Sequence, residues 1–272
     1  MRLILVGYGK MGQALLQGWL AMPDIDRIMV IDPDRKESKI SDQRIEWHWD
    51  ECPPPAMDSP DIIIVAVKPP ILAKVLSAYK GFVASQTLFI SIVAGKPLSW
   101  LSNQLGSEAI IIRAMPNMPA MVHCGITVAV ANSHATPMHV AMADGLFRSI
   151  GELIWIHHDE ESLMDPITAI SGSGPAYVFL LIETLARAGI AQGLSADLAM
   201  SLARATVIGS STLAQQSPES IAMLRQSITS PGGTTEAALA VLMRQGGFDS
   251  LLGQAIQAAT NRARELATLE QE

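Results

Sequence analysis

Residues 7–12 constrain the fold most strongly, because they place three glycines directly after a short apolar run. A strand pattern from Arg2 to Val6 leads into Gly7-Tyr8-Gly9-Lys10-Met11-Gly12, and a helical pattern follows. Glycines there permit a tight turn and the close approach of a pyrophosphate, whose charge meets free N–H groups at the helix start. The motif therefore predicts a dinucleotide-binding domain, and a plain tight turn is the alternative.

The alternation of short runs predicts the rest of the fold. From residue 1 to about 157, β-branched runs alternate with helical stretches, which implies βαβ units and a parallel sheet. Runs such as Ile62-Ile63-Ile64-Val65 are apolar on both faces, as in a sheet covered by helices on both sides. Beyond that point only helical patterns remain. We predict an α/β Rossmann domain with a mainly parallel, doubly wound sheet at 1–158, followed by an all-α domain at 159–272.

The composition predicts a protein with a subunit interface. The chain is 49% hydrophobic and 17% charged, which leaves more apolar surface than a monomer usually buries. The helical pattern after Pro175 is apolar nearly all round and is expected in a core or a dimer seam. Apolar runs such as residues 61–67 are shorter than the roughly 20 residues that a bilayer requires, so we expect a soluble protein with no membrane contact.

Charge and cysteine content limit the partners. The net charge is −7 and no dense Lys/Arg tract occurs, which argues against nucleic acid. Two cysteines and an N-terminal run broken by glycine fit a cytoplasmic location without a signal peptide or disulfide framework. His157, His158, Asp159 and Glu160 are adjacent and splay apart, so we expect no metal site. The expected partner is a small molecule.

Three residues near the predicted cofactor site bear on the choice of cofactor. Asp32 follows the second strand, 20 residues after Gly12, where an acidic side chain binds a ribose 2′-hydroxyl and favours NADH. Arg35 and Lys36 are suited to a 2′-phosphate and favour NADPH, and a solvated turn is the alternative. The residues leave both cofactors open, with NADPH slightly favoured. Lys68, in the turn after a strand, faces either a ligand anion or solvent.

A second glycine-rich turn, Thr229 to Glu236, opens onto a helix in the C-terminal half. Unpaired N–H groups from Gly233 to Thr235 are expected to hold a carboxylate, and Ser230 and Thr235 add hydroxyl groups. An ordinary helix cap is the alternative. The segment Ser171-Gly172-Ser173-Gly174-Pro175 lacks the spacing of a serine nucleophile and is interpreted as a helix start, so hydrolysis is rejected.

Four segments together resemble one family, the pyrroline-5-carboxylate reductases. They are residues 7–12, Ala66-Val67-Lys68-Pro69, residues 113–120 and residues 171–177, and residues 229–235 resemble the family's signature loop. The resemblance covers almost the whole chain. It implies NAD(P)H-dependent reduction of 1-pyrroline-5-carboxylate to L-proline by a homodimer that interlocks through its C-terminal helices, with larger rings of dimers.

The resemblance also assigns site residues. With Asp32 and Arg35, the expected cofactor residues are Val6, Gly7, Gly9, Lys10, Met11, Gly12, Ala66, Val67, Lys68 and Pro69, and Ile92, Val93 and Ala94 would border the nicotinamide. The expected substrate residues are Ser227, Ser230, Gly233, Thr234 and Thr235. Among them Thr235 and Ser230 are the candidate catalytic residues, and the Thr235 hydroxyl would orient the imine nitrogen. Ser227 stands where the family often has Asn, and Asp32 where it more usually has Asn or Ser.

Two other functions remain open at this point. A hydroxy-acid dehydrogenase of similar build would need a Lys or His base in the first long helix of the second domain, and residues 175–192 contain neither. A non-catalytic dinucleotide sensor would not need the intact loop from Ser230 to Thr235.

Overall fold

The computed structural model describes residues 1–34, 40–50 and 59–268. Its strands are β1 (Arg2–Val6), β2 (Arg27–Ile31), β3 (Ile45–His48), β4 (Ile62–Val65), β5 (Leu88–Ser91), β6 (Ile110–Met115), β7 (Gly125–Ala131) and β8 (Gly151–Trp155). They form one sheet in the order β3-β2-β1-β4-β5-β6-β7-β8. Neighbouring strands run parallel except β6 and β7, which are antiparallel. The predicted, mainly parallel sheet is confirmed.

Helices cover the sheet and then follow one another without strands in the described residues. They are α1 (Lys10–Trp19), α2 (Leu72–Tyr79), α3 (Leu98–Leu105), α4 (Pro137–Arg148), α5 (Met164–Ile167), α6 (Gly174–Ala191), α7 (Ala196–Gln216), α8 (Ile221–Ser227), α9 (Thr234–Leu242) and α10 (Phe248–Thr268). A π-helical turn, Thr168–Gly172, lies between α5 and α6. An α/β half followed by helices is therefore also confirmed.

Alternate side chains of each central strand enter two different cores. In β1, Leu3 and Leu5 belong to one buried cluster, whereas Ile4 and Val6 belong to the other. This is the consequence of a period of two along the strand, and it explains why the central strands are apolar at every position. The two cores hold the carboxyl ends of β1, β2 and β4 in fixed positions.

Strand β3 is an element that the sequence pattern did not predict. It is the edge strand, only four residues long, and all of its side chains are partly exposed. It contains Glu46 and His48 in place of a continuous apolar run. An edge strand has solvent on one side, so its sequence carries a weaker signal than that of a buried strand.

An ion pair between Arg44 and Asp42 anchors the chain just after the end of α1. The Arg44 guanidinium donates to the backbone carbonyls of Leu20 at 2.6 Å and Met22 at 2.9 Å, and it pairs with the Asp42 carboxylate at 2.9 Å. The hydrogen bonds that the Asp42 carboxylate accepts from the Arg44 side chain and from the Arg44 backbone N–H lower the pKa of Asp42 to about 2. The carbonyls just beyond the end of α1 thus have partners, and the helix behind the glycine-rich turn is anchored at its far end.

The chain divides into two compact units, residues 1–173 with 259–272, and residues 174–258. The division falls after the π-helical turn and within α10. The domain boundary that the sequence pattern placed at residue 158 marks the change from strands to helices and stays a prediction.

The helical unit, residues 174–258, buries little within itself. Its buried hydrophobic cluster in the described residues consists of Ala186, Ala199 and Ala203, where α6 and α7 pack together. Large apolar side chains lie exposed, among them Phe179 at 60% and Ile208 at 57%. Of the two settings expected for α6, a core within the chain is therefore wrong, and the subunit interface stays a prediction.

One helical stretch, His158–Ala191, is long and apolar enough to cross a membrane by length and composition alone. Only 11% of its most apolar window is buried inside the chain. The argument from short apolar runs overlooked this stretch, because it treated the helical segments between residues 158 and 191 one by one, whereas the structure joins them nearly end to end. Helices that pack against another subunit have the same composition, so the stretch does not by itself indicate a membrane.

Candidate functional site

The turn after β1 is pressed against the turn after β4. Gly7 has a φ of +100°, and its N–H donates to the Ile31 carbonyl at 2.8 Å. A Cβ at Gly7 would lie 2.7 Å from the backbone oxygen of Ala66, which leaves no space for a side chain. Glycine is therefore required here both by conformation and by the close approach. The expected cofactor segments 6–12 and 66–69 are brought together at the carboxyl edge of the sheet.

The start of α1 leaves room for an anion. A Cβ at Gly12 would lie 2.2 Å from the Gly7 carbonyl oxygen, so α1 packs directly on the turn. A Cβ at Gly9, by contrast, would meet no atom within 4 Å. Gly9 is the N-cap, and no side chain caps the helix. The open space and the free N–H groups fit the pyrophosphate of a dinucleotide.

Asp32 is bonded into this turn. It is 7% exposed, and its carboxylate accepts the Tyr8 N–H at 2.5 Å through one oxygen and the Asp34 N–H at 2.9 Å through the other. The side chain therefore ties β2 to the glycine-rich turn. Its role toward a ribose hydroxyl stays a prediction, and Arg35 and Lys36 lie outside the described residues.

A pocket opens beside the turn, between the ends of β1, β2 and β4. Its walls are mainly apolar, which suits a flat ring such as adenine. Among the described residues that line it, Lys74 alone carries a charge. The lining residues are Val6, Gly7, Ile31, Pro33, Val67, Ile71, Lys74 and Val75.

The segment after β5 lies further along the same edge. The Ile92 N–H donates to the Val65 carbonyl at 3.1 Å, which fixes it beside β4. Ile92 and Val93 are buried in the two cores, and Ala94 is half-buried. Of the three residues expected to border a nicotinamide, two thus turn their side chains inward and can offer only backbone at the surface.

The end of α10 packs on this segment. A Cβ at Gly95 would lie 2.8 Å from Cβ of Leu266. Lys96 is buried, with its ammonium 3.5 Å from the Ala267 carbonyl oxygen and over the ring of Trp100. A cation at the carboxyl end of a helix is favourable. The last described turn of α10 therefore supports the loop after β5.

A buried network that sequence reasoning missed joins the sheet to the helical stretch after β8. Arg113 donates to Glu161 at 2.9 Å and lies 3.8 Å from Asp165, and Glu161 also accepts the Leu98 N–H. An arginine in the middle of an apolar strand was the available signal. The Arg113 and Glu161 side chains are both largely buried, so removing either charge would leave the other buried without its partner.

Asn117 makes a second link to the π-helical turn. Its amide donates to the Ser171 carbonyl at 3.1 Å, and its oxygen accepts the Ile126 N–H at 2.9 Å. A Cβ at Gly172 would lie 2.7 Å from the Met115 side chain. Ser171 and the small residue Gly172 therefore pack closely on Met115 and Asn117 of segment 113–120.

The second glycine-rich turn lies in the helical unit, at the start of α9. The Gly233 N–H donates to the Ser230 carbonyl at 3.0 Å, so one of the three expected donors is used within the turn. In the described part of the chain, the N–H groups of Thr234 and Thr235 have no acceptor. No side chain caps α9, because its N-cap is Gly233. A helix start with free donors remains, as a carboxylate site requires.

Other groups around this turn are engaged in local structure. The Ser227 hydroxyl donates to the Leu224 carbonyl at 2.8 Å and so closes the end of α8. The Glu236 carboxylate accepts the Gly232 N–H at 2.8 Å. The hydroxyls of Ser230, Thr234 and Thr235 have no partner in the described residues and are available to a ligand. Those residues also contain no cluster of three metal-binding side chains.

The sheet, the glycine-rich turn and the edge pocket define a dinucleotide-dependent oxidoreductase with a helical C-terminal part. A family model described as "NADP oxidoreductase coenzyme F420-dependent" matches residues 2–95, and one described as "Pyrroline-5-carboxylate reductase dimerisation" matches residues 161–266. The chain belongs to the pyrroline-5-carboxylate reductase family.

Several relatives carry this conclusion. The chain is 36% identical to the pyrroline-5-carboxylate reductase of Synechocystis sp., over 96% of this chain and 97% of that protein. It is 34% identical to that of Pseudomonas aeruginosa, over 98% and 97%. The crystal structure of Plasmodium falciparum pyrroline carboxylate reductase with NADP bound superimposes with a TM-score of 0.84 and 31% identity, over 98% of both chains.

The predictions of family, fold and activity are therefore confirmed. The chain is an NAD(P)H-dependent oxidoreductase that reduces 1-pyrroline-5-carboxylate to L-proline. The dimerisation model indicates a homo-oligomer acting on a small molecule. The roles of individual residues stay predictions.

Proposed function

We propose that this chain performs its reduction with the glycine-rich turn of β1 and α1 holding NAD(P)H and the turn before α9 holding the substrate. The observation that carries the substrate assignment is the start of α9, where, among the described residues, the N–H groups of Thr234 and Thr235 lack acceptors and no side chain caps the helix. Such a start holds a carboxylate without any cationic side chain.

The cofactor residues bind NAD(P)H and orient its nicotinamide ring. The N–H groups at the start of α1 hold the pyrophosphate in the space left open by Gly9, and the exposed Lys68 ammonium lies at the edge where ligands of such sheets bind. When bound, the nicotinamide supplies the hydride. The backbone of Ile92 and Val93 borders it, and the half-buried Ala94 adds a small apolar side chain beside the reacting carbon.

The substrate residues position the ring and its nitrogen. The carboxylate accepts the N–H groups of Thr234 and Thr235, and the Thr235 hydroxyl donates to the imine nitrogen, where a proton must reside at the end of the reaction. The Ser230 hydroxyl lies in the same turn and shares this task. No nucleophile is needed, because hydride transfer to a C=N carbon depends mainly on holding donor and acceptor roughly 3 to 3.5 Å apart.

A hydroxyl series tests the role of Thr235. We expect Thr235→Ala to lower kcat/KM for 1-pyrroline-5-carboxylate about a hundredfold, the size of a lost transition-state hydrogen bond, and Thr235→Ser to restore most of it. Thr212→Ala is the matched control, since the Thr212 hydroxyl donates to the Ile208 carbonyl within α7. Unchanged kinetics in Thr235→Ala would remove Thr235 from the mechanism.

We also propose the finer organisation of the protein. Residues 159–272 form the substrate-binding and dimerisation domain, the homodimer forms through the C-terminal helices, and dimers assemble into a ring in the cytoplasm. The exposed apolar side chains of α6 and α7 support the interface. Sedimentation velocity across a concentration series distinguishes monomer, dimer and ring, and a concentration-independent monomer would contradict the proposal.

A further inference from the structure

Lys74 lies on the first turn of α2, where this helix forms one wall of the edge pocket. Val67, Ile71 and Val75 share that wall, and Ile31 and Pro33 form the wall opposite. Lys74 is an exposed residue. A lysine stem can therefore line the apolar pocket while its ammonium stays at the mouth.

The adenosine part of the dinucleotide belongs in this pocket, an inference that rests on the proposed cofactor site. With the pyrophosphate at the start of α1, the apolar space between the ends of β2 and β4 is adjacent to it. Pro33, next to Asp32, lines the pocket, so the ribose hydroxyl or phosphate at position 2′ lies near its mouth.

Asp32 would by itself favour NADH, because a carboxylate repels a 2′-phosphate. In this structure, however, both of its oxygens accept backbone N–H groups, from Tyr8 and Asp34, and the side chain is buried. Its charge is thus partly compensated and directed into the turn. The choice between the two cofactors then depends on which cations face the mouth of the pocket.

We propose that Lys74 is a specificity-determining residue that binds the 2′-phosphate of NADPH from the α2 wall of the pocket. The ammonium forms a charge-assisted hydrogen bond with the phosphate, and NADH offers it no anion at that position. Neither the glycine-rich motif nor the spacing of Asp32 indicates a residue on α2 for this task.

The test compares ligands that differ only in the 2′-phosphate. Adenosine 2′,5′-bisphosphate and adenosine 5′-monophosphate are titrated calorimetrically into the full-length protein and into Lys74→Met, which keeps an unbranched apolar stem. We expect the affinity for the bisphosphate to fall about tenfold and that for the monophosphate to change less than about twofold, with KM for NADPH and NADH following the same pattern. Lys74→Arg should retain the discrimination.

Lys80→Met is the matched control, since Lys80 follows α2 at its other end, is exposed and does not line the pocket. Equal losses for both ligands in Lys74→Met, or no loss for either, would overturn the proposal. Failure of the unaltered protein to bind either ligand would overturn the cofactor placement itself. Loss of substrate turnover in Thr235→Ala with ligand binding unchanged separates the substrate site from this inference.

Discussion

The two compact units differ in how they bury their large side chains. The sheet-based unit fully encloses Trp19, Tyr79, Phe89 and Phe147, whereas the helical unit encloses only alanines among its described residues. The sheet-based unit therefore buries its large apolar side chains within its own core. The helical unit exposes large apolar side chains, which is typical of a surface that packs against another subunit.

The polar contacts show the same difference. In the sheet-based unit, Arg113, Glu161 and Asn117 connect elements that are distant in sequence. Among the described residues of the helical unit the hydroxyl hydrogen bonds, such as that of Ser211 to the Val207 carbonyl, join residues no more than 4 positions apart. The glycine-rich turn after β1 is thus fixed by the contacts of its own unit, and we expect the turn before α9 to depend more on the assembled protein.

The largest expected effect follows from disrupting the apolar surface of the helical unit. We expect Phe179→Glu combined with Ile208→Glu to convert the oligomer to monomers and to lower specific activity more than about a hundredfold, since a 1 Å misplacement of reacting groups can cost that much. Dinucleotide affinity should change less than about threefold, as that site lies in the other unit. Sedimentation velocity and calorimetric titration measure both quantities.

Gln215→Glu is the control for this variant, because it adds a charge to an exposed polar position of the same unit. It should leave assembly and activity unchanged. An intact oligomer in the double variant would show that the surface around Phe179 and Ile208 is not an interface. The exposed apolar side chains of the helical unit would then not explain how the protein assembles.

The second prediction concerns the buried charges of the sheet-based unit. Arg113→Met leaves the Glu161 carboxylate buried without its cation, so we expect the free energy of unfolding to fall by about 3 kcal/mol. Arg148→Met removes the partner of Asp144 from an exposed pair and should cost less than about 1 kcal/mol. Urea denaturation measures both, and equal costs would contradict the assignment of a buried network.

The third prediction separates two glycines of the cofactor turn. Gly9→Ala places a methyl group in open space, so we expect unchanged thermal stability but about tenfold weaker dinucleotide binding, as the methyl crowds the pyrophosphate. Gly12→Ala forces a Cβ against the Gly7 carbonyl and should lower stability as well. Unchanged cofactor affinity in Gly9→Ala would argue against a pyrophosphate at this position.

Sequence reasoning succeeded where the determining residues are contiguous. The glycine-rich turn, the apolar central strands and the helix after Pro175 each carry their signal within a few residues. It did not predict β3, whose exposed edge position weakens the apolar pattern, or the pairing of Arg113 with Glu161, which are 48 residues apart. The role proposed for Lys74 was not predicted either, because only the folded chain places the α2 wall of the pocket beside the end of β2.

The smallest expected effect concerns pH and the start of α4. The His139 ring accepts the Thr136 N–H at 3.1 Å, and burial lowers the pKa of His139 below its usual value. Below about pH 6.5 the unfolded chain binds a proton at this histidine and the folded chain resists it, so this contribution to stability is complete above that pH and decreases as the pH falls.

His139→Gln keeps a side chain suited to this position of a capping box and removes the titration. We therefore expect the free energy of unfolding of the variant to be within about 1 kcal/mol of the parent at pH 8, and its decrease between pH 7 and pH 5 to be shallower. His134→Gln, at an exposed position before the same helix, should leave the pH dependence as it is in the parent. Because His139 and its partner both lie in the sheet-based unit, monomeric and assembled protein should show the same difference. A slope that changed on assembly would mean that this unit, too, depends on its partner.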